Sequence, residues 1–136
     1  MVESEPRQAT RILVVDDYAD SREMYAEMLS FAGYLVVTAK DGAEALERAE
    51  KEHFDLIVLD IALPRMDGMT VIKELRTRPE TKGVAIITLS ASVGDHIHKT
   101  VLDAGADLAL DKPCLPDDLE ATIRRVLQRR AARVLP

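Results

Sequence analysis

Three aspartates, a serine and a lysine close short apolar runs along this chain. Asp16 and Asp17 follow Ile12–Val15, Asp60 follows Leu56–Leu59, Ser90 follows Val84–Leu89, and Lys112 follows Leu108–Leu110. Carboxylates brought to one place repel, and unrelieved repulsion raises their pKa values. A hard divalent cation resolves that conflict, and Mg²⁺ takes a few carboxylates together with waters and phosphate oxygens. A lysine ammonium and a hydroxyl beside the cluster complete a site suited to a phosphoryl group. Taken singly, each residue has an ordinary reading. An Asp after a strand is usually a turn or helix-cap residue, and Lys112-Pro113 is a loop dipeptide. Capping alone gives no reason for such residues to close separate runs in the same way.

An open parallel sheet would bring them together. The apolar, β-branched runs, with Leu35–Val37 as the second of the five, recur about two dozen residues apart. No hairpin signal joins neighbours, and each interval holds a polar segment with helical spacing. Alternating strand and helix implies a parallel sheet covered on both faces. The uninterrupted Leu56-Ile57-Val58-Leu59 fits a central strand. In such a sheet, ligands sit beyond the carboxyl ends of the strands, which is where these residues fall.

The helices carry their own punctuation. Met24, Met28 and Phe31 recur at helical spacing before Gly33, a C′ stop. Asp41-Gly42-Ala43-Glu44 resembles a capping box, followed by an apolar face of Ala45, Leu46 and Ala49. Met69, Ile72 and Leu75 mark a third helix ending before Pro79. Ile97, Val101 and Leu102 mark a fourth ending near Gly105. Pro116 opens a fifth, with a buried stripe of Leu119, Ile123, Val126 and Leu127.

Composition narrows the function classes. The 136 residues are 47% hydrophobic and 31% charged, a balance that argues for one globular domain and against disorder. No apolar run reaches the ~20 residues of a membrane span. The polar first ten residues show no signal peptide, and the single Cys114 excludes an internal disulfide framework. A cytoplasmic protein is expected. We read residues 1–10 as an N-terminal extension, 11–130 as the domain and 131–136 as a tail. A net charge of −6 disfavours nucleic-acid binding by the domain. The five Arg after Ile123 are expected on a solvated helix face, the sharper option being a basic contact.

The motifs together resemble the receiver domains of two-component response regulators, over Arg11 to Arg130. The segments that carry the resemblance are Ile12–Asp17, Asp55–Gly68 with its Asp-x-x-Leu-Pro-x-Met-Asp-Gly pattern, Ile86–Ala91, Ala104–Asp107 and Lys112-Pro113. The resemblance implies an α/β, flavodoxin-like (βα)5 fold with strand order 2-1-3-4-5. It implies Asp60 as phosphoacceptor from a phosphohistidine on a histidine kinase or phosphotransfer protein. Asp17 and Asp60 match direct Mg²⁺ ligands, Asp16 a ligand acting largely through water, and the Ala62 carbonyl the remaining protein ligand. Ser90 and Lys112 match the hydroxyl and ammonium on the phosphoryl oxygens, and the Ala91 N–H should donate to the same group. The implied protein is a signalling switch acting on a downstream target rather than an enzyme. It also implies a cis Lys112-Pro113 bond. Gly68 is expected to take a positive φ in the loop after Asp60.

Two positions depart from that family. Ala109 stands where many receivers carry Tyr or Phe, and Cys114 replaces a common Phe after Lys-Pro. An aromatic rotamer switch is therefore absent, and a backbone movement across Ala91–Asp95 is expected to take its place. Tyr18 is placed at the pocket rim. His96 and His98, two apart on a helix, point to different faces and form no metal site. The leading expectation is a stand-alone switch, which Met1 favours. The alternatives are a module cut from a longer DNA-binding regulator or hybrid kinase, and a flavodoxin-like cofactor binder. The last lacks the Gly-rich loop a phosphate needs, since Asp16-Asp17 occupy its place.

Overall fold

The computed structural model describes residues 9–63, 65–91 and 95–134. Strands and helices alternate through them. They are β1 (Arg11–Val15), α1 (Ala19–Phe31), β2 (Leu35–Ala39), α2 (Gly42–Lys51), β3 (Leu56–Asp60), α3 (Gly68–Thr77), β4 (Ala85–Ser90), α4 (Asp95–Ala104), β5 (Leu108–Asp111) and α5 (Pro116–Val134). The strands form one parallel sheet in the order β2-β1-β3-β4-β5. The chain steps from β1 outward to β2, then crosses back over β1 to β3. Strand order therefore reverses between β1 and β3, where an α/β sheet opens a crevice.

Side chains alternate across each strand, so each sheet face has its own core. Leu13, Val15, Ile57, Leu59 and Ile86 pack with α2, α3 and α4. Ile12, Val14, Leu56, Val58, Ile87 and Leu89 pack with α1 and α5. All five residues of β3 are buried, as a strand covered on both faces requires. The expected stripe of α2 buries as read, through Ala45, Leu46 and Ala49; in that of α5 Leu119, Ile123 and Val126 are buried and Leu127 is half-buried.

Helix α1 forms where the spacing of Met24, Met28 and Phe31 predicts it, but it buries a different pair. Met24, Met28 and Phe31 face solvent, with Phe31 92% exposed, and the buried pair is Tyr25 and Leu29. Both sets have helical spacing, so periodicity alone could not choose. Tyr25 wins because its ring fills the α1–α5 core while its hydroxyl donates to the Cys114 carbonyl at 2.8 Å. Burial then leaves no polar group unpaired. Leu102 of α4 is likewise 44% exposed beside a fully buried Val101.

Turn chemistry divides the same way. Gly33 takes φ +106°. Its N–H reaches the Ser30 carbonyl while the Tyr34 N–H reaches Leu29, a Schellman closure. Asp41 caps α2 through the Glu44 N–H at 2.8 Å, but Glu44 reaches back to the Lys40 N–H rather than to that of Asp41. Gly68 does not have a positive φ; Arg65 does, at 67°. Gly68 is needed for space instead, because a Cβ there would lie 2.7 Å from the Ile61 Cα. Asp67 caps α3 just before it, accepting from the Thr70 N–H at 2.9 Å. The Lys112-Pro113 bond is cis. The expected movement across Ala91–Asp95 falls largely on residues 92–94, outside the described residues.

One tie at the N-terminal edge was not foreseen. Asp107 accepts from the Ile86 N–H at 2.8 Å, from Arg76 at 3.3 Å and from Arg130 at 2.7 Å. Arg76 also donates to the carbonyls of Gly105, Lys82 and Val84. Burial pulls the Arg76 pKa down and Arg130 adds to that, against the pull of Asp107. Arg130 is thus drawn out of the solvated arginine face expected for the end of α5. A cleft of about 580 Å³ lies at this same edge, among His53–Asp55, Pro79–Val84 and the end of α5. It is remote from the carboxylates.

Candidate functional site

The register explains why the acidic residues meet. Val15 pairs with Leu59 across β1 and β3, so Asp16-Asp17 and Asp60 emerge side by side at the switch point. Asp60 itself pairs with Leu89, and Ser90 pairs with Asp111. The four strand ends therefore deliver three carboxylates, a hydroxyl and an ammonium to one edge. One carboxylate oxygen from each of Asp16, Asp17 and Asp60 lies within 4.8 Å of the others. Asp16 and Asp60 are buried at 2% and 5% exposure, and Asp17 is exposed.

Each group is aimed by a neighbour. Oδ1 of Asp16 accepts from the Tyr18 N–H at 2.9 Å, and Arg22 donates to the Asp16 carbonyl at 2.9 Å. Oδ1 of Asp60 accepts from the Ala62 N–H at 3.0 Å, and Oδ2 from Lys112 Nζ at 3.0 Å. Lys112 is held from behind, its N–H donating to the Ser90 carbonyl at 2.8 Å. Tyr18 does stand at the rim, 62% exposed, but its backbone contributes rather than its ring. The orienting roles of Tyr18 and Arg22 carried no motif by which they could have been found.

Electrostatics leave the cluster under-neutralised. Burial pushes the Asp16 carboxyl above its ordinary value, with the charges of Asp60 and Asp17 adding, against the Tyr18 N–H and Lys112. Burial likewise works against the Lys112 ammonium, but its hydrogen bond to Asp60 and the two carboxylate charges outweigh it and raise its pKa. Among the described residues, Lys112 is the lysine paired with the cluster, and it meets two of the three carboxylates, Asp60 and Asp16. Asp16 Oδ2 is buried without a hydrogen-bond partner, its nearest cation being Lys112 Nζ at 3.7 Å. A buried acceptor left so, among carboxylates this close, fits a divalent cation. Asp16→Asn should accordingly stabilise the protein in chelator, by about 1 kcal/mol, the scale of one relieved contact between partly screened charges. The same variant should lose the melting-temperature rise that added divalent cation gives the wild type. A lower melting temperature for Asp16→Asn in chelator would refute this account of the cluster.

The profile of the response regulator receiver domain family matches residues 12–124. The chain belongs to the response regulator receiver family. Among similar proteins, a probable transcriptional regulator ycf27 of Porphyridium aerugineum is 43% identical over 122 residues, covering 90% of this chain and 50% of that protein. The response regulator MprA of Mycobacterium leprae is 42% identical over 119 residues, covering 88% of this chain and 51% of the other. This receiver thus spans about half the length of these relatives. The structure of the chemotaxis response regulator CheY4 of Vibrio cholerae superposes with a TM-score of 0.84 at 35% identity, covering 88% of this chain and 99% of that one. Receivers are phosphorelay switch modules, and the acidic triad that serves such a module is present at the sheet edge of this one. No helix among the described residues is long and apolar enough to cross a membrane.

Proposed function

We propose that this receiver takes a phosphoryl group on Asp60 from a phosphohistidine of a histidine kinase or phosphotransfer protein. A carboxylate oxygen of Asp60 attacks phosphorus, the P–N bond breaks, and the imidazole keeps the electron pair. The observation that carries this reading is the convergence of Asp16, Asp17 and Lys112 on the Asp60 carboxylate. Phosphoryl transfer is mainly positioning and charge neutralisation, and that is what these side chains supply. Asp16, Asp17, Asp60 and the Ala62 carbonyl would hold Mg²⁺. Bound there, the ion would neutralise charge that one lysine cannot. Ser90 and the Ala91 N–H stabilise the transferred phosphoryl oxygens together with Lys112. The exposed Met24 and Met28 on α1 offer the kinase an apolar contact beside the site.

Acetyl phosphate with Mg²⁺ should add a single phosphoryl group by intact mass, and chelator should prevent it. Labelling that persists in chelator would defeat the cation's role.

A further inference from the structure

His98 lies in the first turn of α4, and its Nε2 stands 2.7 Å from Oδ1 of Asp111. Asp111 closes β5, pairs in register with Ser90 and precedes Lys112. Lys112 in turn bonds the Ser90 carbonyl through its backbone and Asp60 through its ammonium. Among the described residues, this side-chain contact ties α4 to the residue set between two groups of the site. Further along, the described side chains of α4 meet the sheet through apolar surface: Val101 is buried, with Ala104 and Ala109 packed beside it. Such contacts are non-directional, and the methyl of Ala109 cannot lock a helix in place. The His98–Asp111 pair is directional.

We propose that this pair is a latch, holding α4 on β5 while Asp60 is a free carboxylate and released when Asp60 is phosphorylated. The inference rests on Asp60 being the phosphoacceptor. The direct 3.0 Å bond from Lys112 to Asp60 Oδ2 belongs to the free carboxylate. A phosphoryl group joined to Asp60 interposes phosphorus and three oxygens, so Lys112 must withdraw and Ser90 must turn to the new acceptors. Both movements act on the paired ends of β4 and β5, and so carry Asp111 relative to α4. A hydrogen bond of 2.7 Å is lost within an ångström of such travel. By linkage, whatever favours the latched arrangement opposes the phosphoryl group, and removing the latch favours it.

Beryllofluoride with Mg²⁺ serves as a phosphoryl mimic for the test. His98→Ala and Asp111→Ala should each bind it about two to five times more tightly than wild type, the range a partly exposed hydrogen-bonded pair can hold. The double variant should bind no more tightly than either single one, because both remove the same contact. In wild type, the His98 ring nitrogen resonances should move to those of an unbonded imidazole when beryllofluoride is added. Unchanged or weaker binding by both single variants, with His98 resonances unmoved in the loaded wild type, would show a merely structural tie. A wild type that binds no beryllofluoride and takes no phosphoryl group would instead overturn the phosphoacceptor reading, and the latch with it.

Discussion

With acetyl phosphate and Mg²⁺, Asp60→Asn is expected to gain no phosphoryl group under conditions where the wild type gains one. The substitution keeps the shape of the side chain and removes its nucleophile, since an amide oxygen lacks the charge that attacks phosphorus. It also weakens the hold on Lys112. That ammonium now donates to Asp60 at 3.0 Å, and its remaining carboxylate partner, Asp16 Oδ2, is 3.7 Å away. Folding should survive, because one of three crowded carboxylates is neutralised and the 3.0 Å bond from the Ala62 N–H still has an oxygen to reach. Intact mass checks the labelling, and a thermal melt checks that the variant is folded. A folded Asp60→Asn labelled as fully as wild type would place the phosphoacceptor elsewhere.

Asp107→Ala should cost about 3 kcal/mol of folding stability, although the residue is remote from the acidic cluster. Its carboxylate joins the Ile86 N–H, Arg76 and Arg130. The side chains of Asp107, Arg76 and Arg130 are only 20%, 21% and 29% exposed. Removing it leaves a strand N–H unpaired and two guanidinium groups facing each other without the anion between them. Breaking a pair from one side costs more than the pair contributes, for that reason. A fall of that size should lower the melting temperature by roughly 10 °C in a domain of this size. The urea midpoint should drop with little change in slope, since the surface exposed on unfolding is nearly the same. A change below about 1 kcal/mol would mean that water and the carbonyls already bonded to Arg76 satisfy the arginines. Phosphoryl uptake measured well below the new melting temperature should be unaffected.

What the sequence determined by itself was local. Runs such as Leu56–Leu59, alternation of strand with amphipathic helix, and punctuation at Gly33, Asp41 and Pro116 depend on neighbours a few residues away. They were legible because backbone geometry and turn chemistry act at that range. Strand order entered only through resemblance, yet it is strand order that sets β1 beside β3 and so Asp16 beside Asp60. The acidic residues could be picked out as a set because each closes an apolar run. Their separation, their burial and the 3.0 Å reach of Lys112 belong to the sheet edge. Elsewhere the tertiary structure made choices the pattern left open. Met24–Met28–Phe31 and Tyr25–Leu29 are both helical stripes, and packing against α5 with a partner for the Tyr25 hydroxyl selected the second. Gly68 was read as a turn former, but it serves the close approach of Ile61, which no local rule reports. Asp107, Arg130, His98 and Asp111 look like ordinary surface charges in one dimension. Their partners lie 13 to 31 residues away along the chain. Hydrogen bonding acts over about 3 Å of space, and only the folded chain decides which distant residues fall within that distance.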